Sequence, residues 1–185
     1  MTWHLVSLDA AAPQPWRNGG GVTRELLAWP PAPAPWQLRL SVADVTQPGP
    51  FSRFDGIERW FAVLDGAGVV LRVGGGAQRL TPASAAFQFS GEVPVDCDLV
   101  AGPTRDFNLM AAPGRARLHR VKGEFAFHAE GTALVAVYAH SRPARIAVLE
   151  TAVDVPPRHL AWCRREWAAT GTVTGEDALW LEARV

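Results

Sequence analysis

Trp60-Phe61-Ala62-Val63-Leu64-Asp65-Gly66, followed by Val69-Val70-Leu71-Arg72-Val73 and stopped by Gly74-Gly75-Gly76, is the stretch on which the fold turns. A short continuous apolar run ending in Asp-Gly reads as a buried strand and a turn, and the second run reads as the returning strand. Upstream, Trp36, Leu38, Leu40 and Val42 alternate with Gln37, Arg39 and Ser41, a period of two that gives one apolar and one polar face. The same short-strand character recurs at residues 85–89, 95–100, 107–110, 134–138, 146–149 and 179–183. Gly91, Gly102-Pro103, Pro113-Gly114, Gly131 and Pro156-Pro157 punctuate these runs. Short strands at this spacing predict an all-β sandwich or barrel. The prolines from Pro30 to Pro35 predict an extended loop. Arg158 to Ala169, with Leu160, Cys163 and Trp167 along one side, is the candidate helix. A change of character near Pro113-Gly114 suggests two barrel-like halves, residues 1–112 and 113–185, within one compact unit.

Composition narrows the function. Eighteen Lys plus Arg balance eighteen Asp plus Glu, and the pI is near 7.0. That leaves no basic surplus for phosphates, so no nucleic-acid partner is expected. The uncharged stretch from Leu26 to Leu38 is too short and too rich in proline for a membrane helix, so no membrane partner is expected either. Residues 1–8 lack a basic segment followed by an apolar run, and Cys97 and Cys163 fit no CxxC spacing. A cytoplasmic protein with reduced thiols is the expectation.

Three segments carry candidate chemistry. The first is Pro15-Trp16-Arg17-Asn18-Gly19-Gly20-Gly21-Val22-Thr23-Arg24-Glu25. It reads either as a flexible hairpin loop or as a ligand loop, with Trp16 and Arg17 offering a stacking surface and a cation and the glycines permitting close backbone approach. It is not a nucleotide-binding loop, since neither GxGxxG entering a helix nor GxxxxGKS is present. The second is Gly49-Pro50-Phe51-Ser52-Arg53-Phe54-Asp55-Gly56-Ile57-Glu58-Arg59, just before the apolar strand. Its layout resembles the first motif of cupin barrels, where two histidines and a glutamate precede such a strand. Counting back from Gly66, Arg59 stands at the glutamate's position, and the histidine positions hold Ser52, Arg53, Phe54 and Asp55. A guanidinium there repels a divalent metal and attracts an anion. His4, His119, His128, His140 and His159 form no HxH or i, i+4 pair, so no metal site and no cofactor are expected. The third is Asp106-Phe107-Asn108, where an extended chain puts Asp106 and Asn108 on one face. That face reads either as a solvated edge or as a pocket wall in which Asp106 orients a neighbouring arginine. Arg39 and Ser41 likewise face either solvent or the barrel mouth beside Arg59. Nucleophile signatures such as GxSxG are absent.

Together these segments resemble the HutD/Ves family of bacterial proteins, in which Trp-Lys-Asn-Gly-Gly-Gly is followed by Thr-Arg-Glu. The likeness runs through Trp36 to Ser41, Gly49-Pro50-Phe51-Ser52, Phe54-x-Gly56-x-x-Arg59, Phe89-x-Gly91 and Asp106-Phe107-Asn108, and Arg17 replaces the family's usual lysine. The resemblance implies a cupin-like bicupin, two small double-stranded β-helix barrels packed together. It also implies a role in histidine utilisation, binding an anionic intermediate such as urocanate or N-formylglutamate and moderating the pathway; other members are linked to stress.

The expected function is therefore non-catalytic binding of a small carboxylate. Arg59 would clamp it, and Arg39, Ser41, Asp106 and Asn108 would add polar contacts. Trp16, Arg17, Asn18 and Phe51 would wall the pocket beneath the Gly19, Gly20 and Gly21 backbone. The rival expectations are a metal-free isomerase or hydrolase using Asp106 or Glu58 as base, and an interaction protein, with a homodimer allowed.

Overall fold

A computed structural model describes residues 2–185. Contacts divide the chain into Ala12–Gly114 and a second unit that joins the residues up to Ala11 to Arg115–Val185. Among the described residues every regular element is a strand, and no helix is long and apolar enough to cross a membrane. In chain order the strands begin with β1 (His4–Ser7), β2 (Pro13–Pro15), β3 (Gly21–Trp29), β4 (Leu38–Val45), β5 (Gly49–Pro50) and β6 (Glu58–Asp65). Then come β7 (Val69–Val73), β8 (Gly76–Leu80), β9 (Phe87–Ser90), β10 (Val95–Leu99) and β11 (Thr104–Ala111).

Strands β2 to β11 build the unit Ala12–Gly114 as two antiparallel sheets. One has the order β2-β3-β4-β11-β6-β9 and the other β5-β10-β7-β8. Phe61, Val63, Val69, Leu71, Phe89, Val95 and Cys97 form a core cluster between them. The central strands β4, β6 and β11 bury side chains on both faces, which is why Trp60 to Leu64 reads as a continuous apolar run. Gly66 closes the turn after β6 at φ +92°, where an added Cβ would meet the Pro103 carbonyl oxygen at 2.5 Å, so only glycine fits.

The other unit is one seven-stranded sheet made of β1, β12 (Ala116–Ala129), β13 (Ala133–Ala139), β14 (Ala144–Val148), β15 (Thr151–Val155), β16 (His159–Arg165) and β17 (Ala169–Ala183). β17 pairs with β12 along one edge and with both β13 and β14 along the other. A bulge at Val121/Gly123, with Gly123 at φ +87°, accompanies the long β12–β17 pairing. Residues up to Ala11 fall outside the first barrel, unlike the division expected at residue 112, because β1 pairs with β16 from His4↔Trp162 to Ser7↔His159.

The helix expected over Arg158 to Ala169 is a strand instead. Arg158 has φ +62°, unsuited to a helix start, and β16 finds ladder partners on both edges, β1 and β13. Cross-strand pairing outweighs a weak helical spacing. Cys97 and Cys163 are free, buried thiols.

Candidate functional site

Strand β11 lies between β4 and β6, and the two registers align side chains in rows on one face of the sheet. The rows are Arg39–Met110–Arg59, Ser41–Asn108–Phe61 and Ala43–Asp106–Val63. Period-two alternation sends Leu38, Leu40, Phe107 and Leu109 to the opposite face, all fully buried. A cavity of about 590 Å³ opens over the first two rows and reaches Ala43 in the third. Trp16, Arg17, Asn18, Phe51, Ser52 and Phe54 line it together with Arg39, Ser41, Arg59, Phe61, Asn108 and Met110. Gly19, Gly20, Gly21 and Asp106 are not among its lining residues.

Arg59 sets the character of the cavity. It is only 6% exposed. Its Nη2 donates to Asn108 Oδ1 at 2.8 Å, and its Nη1 donates to the Ser52 carbonyl at 3.4 Å. Its guanidinium carbon lies 5.0 Å from the centre of the Phe51 ring, 5.2 Å from Phe89 and 5.9 Å from Phe54. Its Nε is buried and has no hydrogen-bond partner among the described residues. Burial lowers its pKa to about 10, and the nearby charge of Arg39 adds a smaller push in the same direction. The group therefore remains a cation at neutral pH, with no carboxylate in ion-pair contact among the described residues.

Arg39 differs, because its Nε donates to Glu25 Oε2 at 2.7 Å. The residue expected to orient an arginine, Asp106, does something else. It is wholly buried, and its Oδ2 accepts from Thr104 Oγ1 at 2.9 Å, while Oδ1 has no hydrogen-bond partner among the described residues. Glu58 points to the other face of β6, where it accepts from Trp60 Nε1 at 3.2 Å and from the Gly114 amide at 3.4 Å.

The glycine run builds the turn that presents Trp16, Arg17 and Asn18. The Trp16 amide donates to the Gly21 carbonyl at 2.9 Å, and the Gly19 amide donates to the Trp16 carbonyl at 3.0 Å with Gly19 at φ +71°. Asn18 Oδ1 accepts from the Gly20 amide at 3.0 Å. Trp16 Nε1 donates to Thr23 Oγ1 at 2.8 Å, and its ring stands edge-on to Phe51. Arg24, in the same motif, serves the sheet. With Arg105 it grips Asp44, and the two guanidiniums outweigh the burial that opposes ionisation of that carboxyl.

Several lining residues were not singled out from the sequence: Gln14, Thr23, Phe54, Phe61 and Met110. Met110 was reachable by extending the period of two from Asn108, and Phe54 by reading its motif as a wall. No sequence signal pointed to the Ser52 carbonyl.

Cupin barrels commonly hold a metal, and the donor set here does not fit one. The lining includes three arginines and no His, Cys, Asp or Glu, and no cluster of three such residues occurs anywhere among the described residues.

The sequence model of the HutD family matches residues 9–181. A Pseudomonas putida protein known as an uncharacterized 21.2 kDa protein in the hutC 3′ region is 42% identical over 113 residues, covering 56% of this chain and 55% of that protein. The chain thus spans about half the length of the curated relatives it matches. Two solved structures match over nearly the full length at 30% identity. A conserved protein of unknown function from Pseudomonas aeruginosa PAO1 has TM-score 0.86, covering 99% of this chain and 98% of its own. HutD from Pseudomonas fluorescens SBW25 has TM-score 0.82 and covers all of both chains. An Escherichia coli pirin at 10% identity and TM-score 0.66 covers 98% of both chains and shares the fold alone, which is all-β and cupin-like. With the family match running through both barrels, the chain belongs to the HutD family.

Proposed function

We propose that this chain is a non-catalytic, cytoplasmic binder of a small carboxylate of histidine utilisation, urocanate or N-formylglutamate, and that binding moderates the pathway. The observation that carries the proposal is Arg59, a buried guanidinium held by Asn108 and the Ser52 carbonyl in a cavity with no carboxylate to neutralise it. A buried cation is costly unless it is paired, so an anionic ligand completes the site. Trp16 and Phe51 provide the flat walls that a conjugated or short acyl ligand would pack against. The lining offers no imidazole, thiol or carboxylate to move a proton, and neither Asp106 nor Glu58 reaches it, which favours binding over catalysis.

Each charge-assisted hydrogen bond contributes about 1.5–3 kcal/mol, and a few of them, less ordering costs, correspond to micromolar affinity. Calorimetric titration of both acids into the protein and into Arg59→Ala tests this. The expected result is binding of at least one acid that weakens more than about tenfold in the variant. Equal affinity in the two proteins, or no heat in either, would overturn it.

A further inference from the structure

The two units share a strand plan. β11 lies between β4 and β6 in one, and β17 lies between β12 and β13 in the other. Both ladders end on an alanine: Ala111 opposite Leu38 and Glu58, and Ala183 opposite Ala116 and Leu134. Counting back from these ends matches the rows one to one. Arg39–Met110–Arg59 corresponds to Arg117–Glu182–Val135, and Ser41–Asn108–Phe61 corresponds to His119–Trp180–Val137.

The second set keeps one arginine and loses the other. Arg117 stands where Arg39 does and is likewise paired with a carboxylate, its Nε donating to Glu182 Oε2 at 2.8 Å. Val135 takes the place of Arg59, and Trp180 takes the place of Asn108. An indole thus rises from the position at which the first unit opens its cavity. Trp180 is 1% exposed and packs in a core with Val121, Val137 and Ile146. Its ring centre lies 5.1 Å from that of Phe125 and 5.0 Å from that of Phe127. The guanidinium carbon of Arg117 is 5.1 Å from the same ring, and Arg117 Nη2 donates to the His128 carbonyl at 2.7 Å. Eleven residues of straight strand would span about 37 Å, so this bond requires β12 to fold back at its Gly123 bulge and clasp itself beside the indole.

We propose that the second unit is a self-occupied counterpart of the first, in which the Trp180 indole fills the space that a ligand fills in the first, so that the chain carries one binding site. The assignment of Trp180 stands on register and packing; only the count of sites rests on the carboxylate-binding reading. Truncating Trp180 leaves an apolar slot between Phe125, Phe127 and Arg117 that a free aromatic molecule can enter.

The test is thermal melting of the full chain with indole as the probe. Trp180→Ala is expected to melt about 10 °C lower than the unmodified protein. Indole at about ten times its Kd is expected to return about 4 °C of that loss. The unmodified protein and Trp180→Phe, which keeps an aromatic in place, are expected not to respond. Trp180→Leu with benzene is a milder truncation that repeats the test should Trp180→Ala fail to fold. A guest that stabilises neither truncated variant, or that stabilises the unmodified protein equally, would overturn the assignment. Calorimetric titration of urocanate and N-formylglutamate is expected to give one site per chain, with the same affinity in Trp180→Leu; two sites in the unmodified protein would also overturn it. Silence from both acids would overturn the carboxylate reading instead, and the aromatic guests would still decide the role of Trp180.

Discussion

Arg59 Nη2 donates to Asn108 Oδ1 at 2.8 Å, diagonally across the β6–β11 pair. The bond orients both partners: with its oxygen committed to the cation, the Asn108 amide keeps two donors for something else. Asn108→Asp would place a carboxylate on Arg59 and compete with any anion. Anion affinity is expected to fall about 10- to 100-fold, the worth of one charged hydrogen bond, while the melting temperature holds or rises. Calorimetry beside thermal melts checks this. A lower melting temperature with unchanged affinity would mean that Asn108 only packs.

Asp106 gives the fold a pH dependence. Burial raises its pKa to about 8; the Thr104 hydrogen bond opposes that rise, and the Asp44 charge adds to it. In the unfolded chain the group returns to about 3.8. Between about pH 4 and about pH 8 the folded protein therefore holds a proton that the unfolded chain has released. Its contribution is fully present below about pH 4 and is lost as pH climbs through about 8. Asp106→Asn keeps the shape without the titration and is expected to gain on the order of a few kcal/mol near pH 8, flattening the slope. Urea unfolding at several pH values measures it, and a slope unchanged by the substitution would refute it.

Much of this architecture was legible in the sequence because period-two alternation is a local signal. Leu38, Leu40 and Val42 alternate with Arg39 and Ser41 in the structure as on paper. The alternation could not say whether the polar face met water or a cavity, because that depends on what covers it; here Phe51 and Trp16 do. The same limit misled the reading of Asp106. It shares a face with Asn108 and a row with Ala43, which lines the cavity, yet its own side chain is wholly buried and not among the lining residues, and no one-dimensional pattern records that. The strand at His159–Arg165 was hidden for a related reason, since its partners β1 and β13 are remote in sequence.

The three consecutive glycines do different work, which substitution should separate. A Cβ on Gly21 would meet the Asp44 carbonyl oxygen at 2.6 Å and the Trp16 ring at 3.1 Å, and the carbonyl belongs to the β3–β4 ladder. A Cβ on Gly19 meets nothing within 4 Å, but its φ of +71° strains any L-residue there. Gly21→Ala is expected to cost about 1–3 kcal/mol and to weaken anion binding by displacing Trp16. Gly19→Ala should cost about 1 kcal/mol and leave binding near normal. Denaturant unfolding with parallel ligand titration checks both, and equal effects from the two variants would contradict these roles.

A second buried arginine tests whether isolation from carboxylates alone marks a binding site. Arg165, at the end of β16, is 2% exposed; its Nη2 donates to the Trp167 carbonyl, while Nε and Nη1 have no partner among the described residues. Arg59 lines a cavity large enough for a ligand, whereas Arg165 is not among that cavity's lining residues. An unpaired buried cation without a ligand is a net cost, so Arg165→Met, which keeps length and apolar volume, is expected to stabilise the protein by about 1–4 kcal/mol and leave carboxylate affinity unchanged. Arg59→Met should also preserve or raise stability, yet abolish carboxylate binding. Thermal melts and titrations of the two variants together separate the roles: a loss of about 3–5 kcal/mol in Arg165→Met would show that its guanidinium is paired in solution and would defeat the contrast.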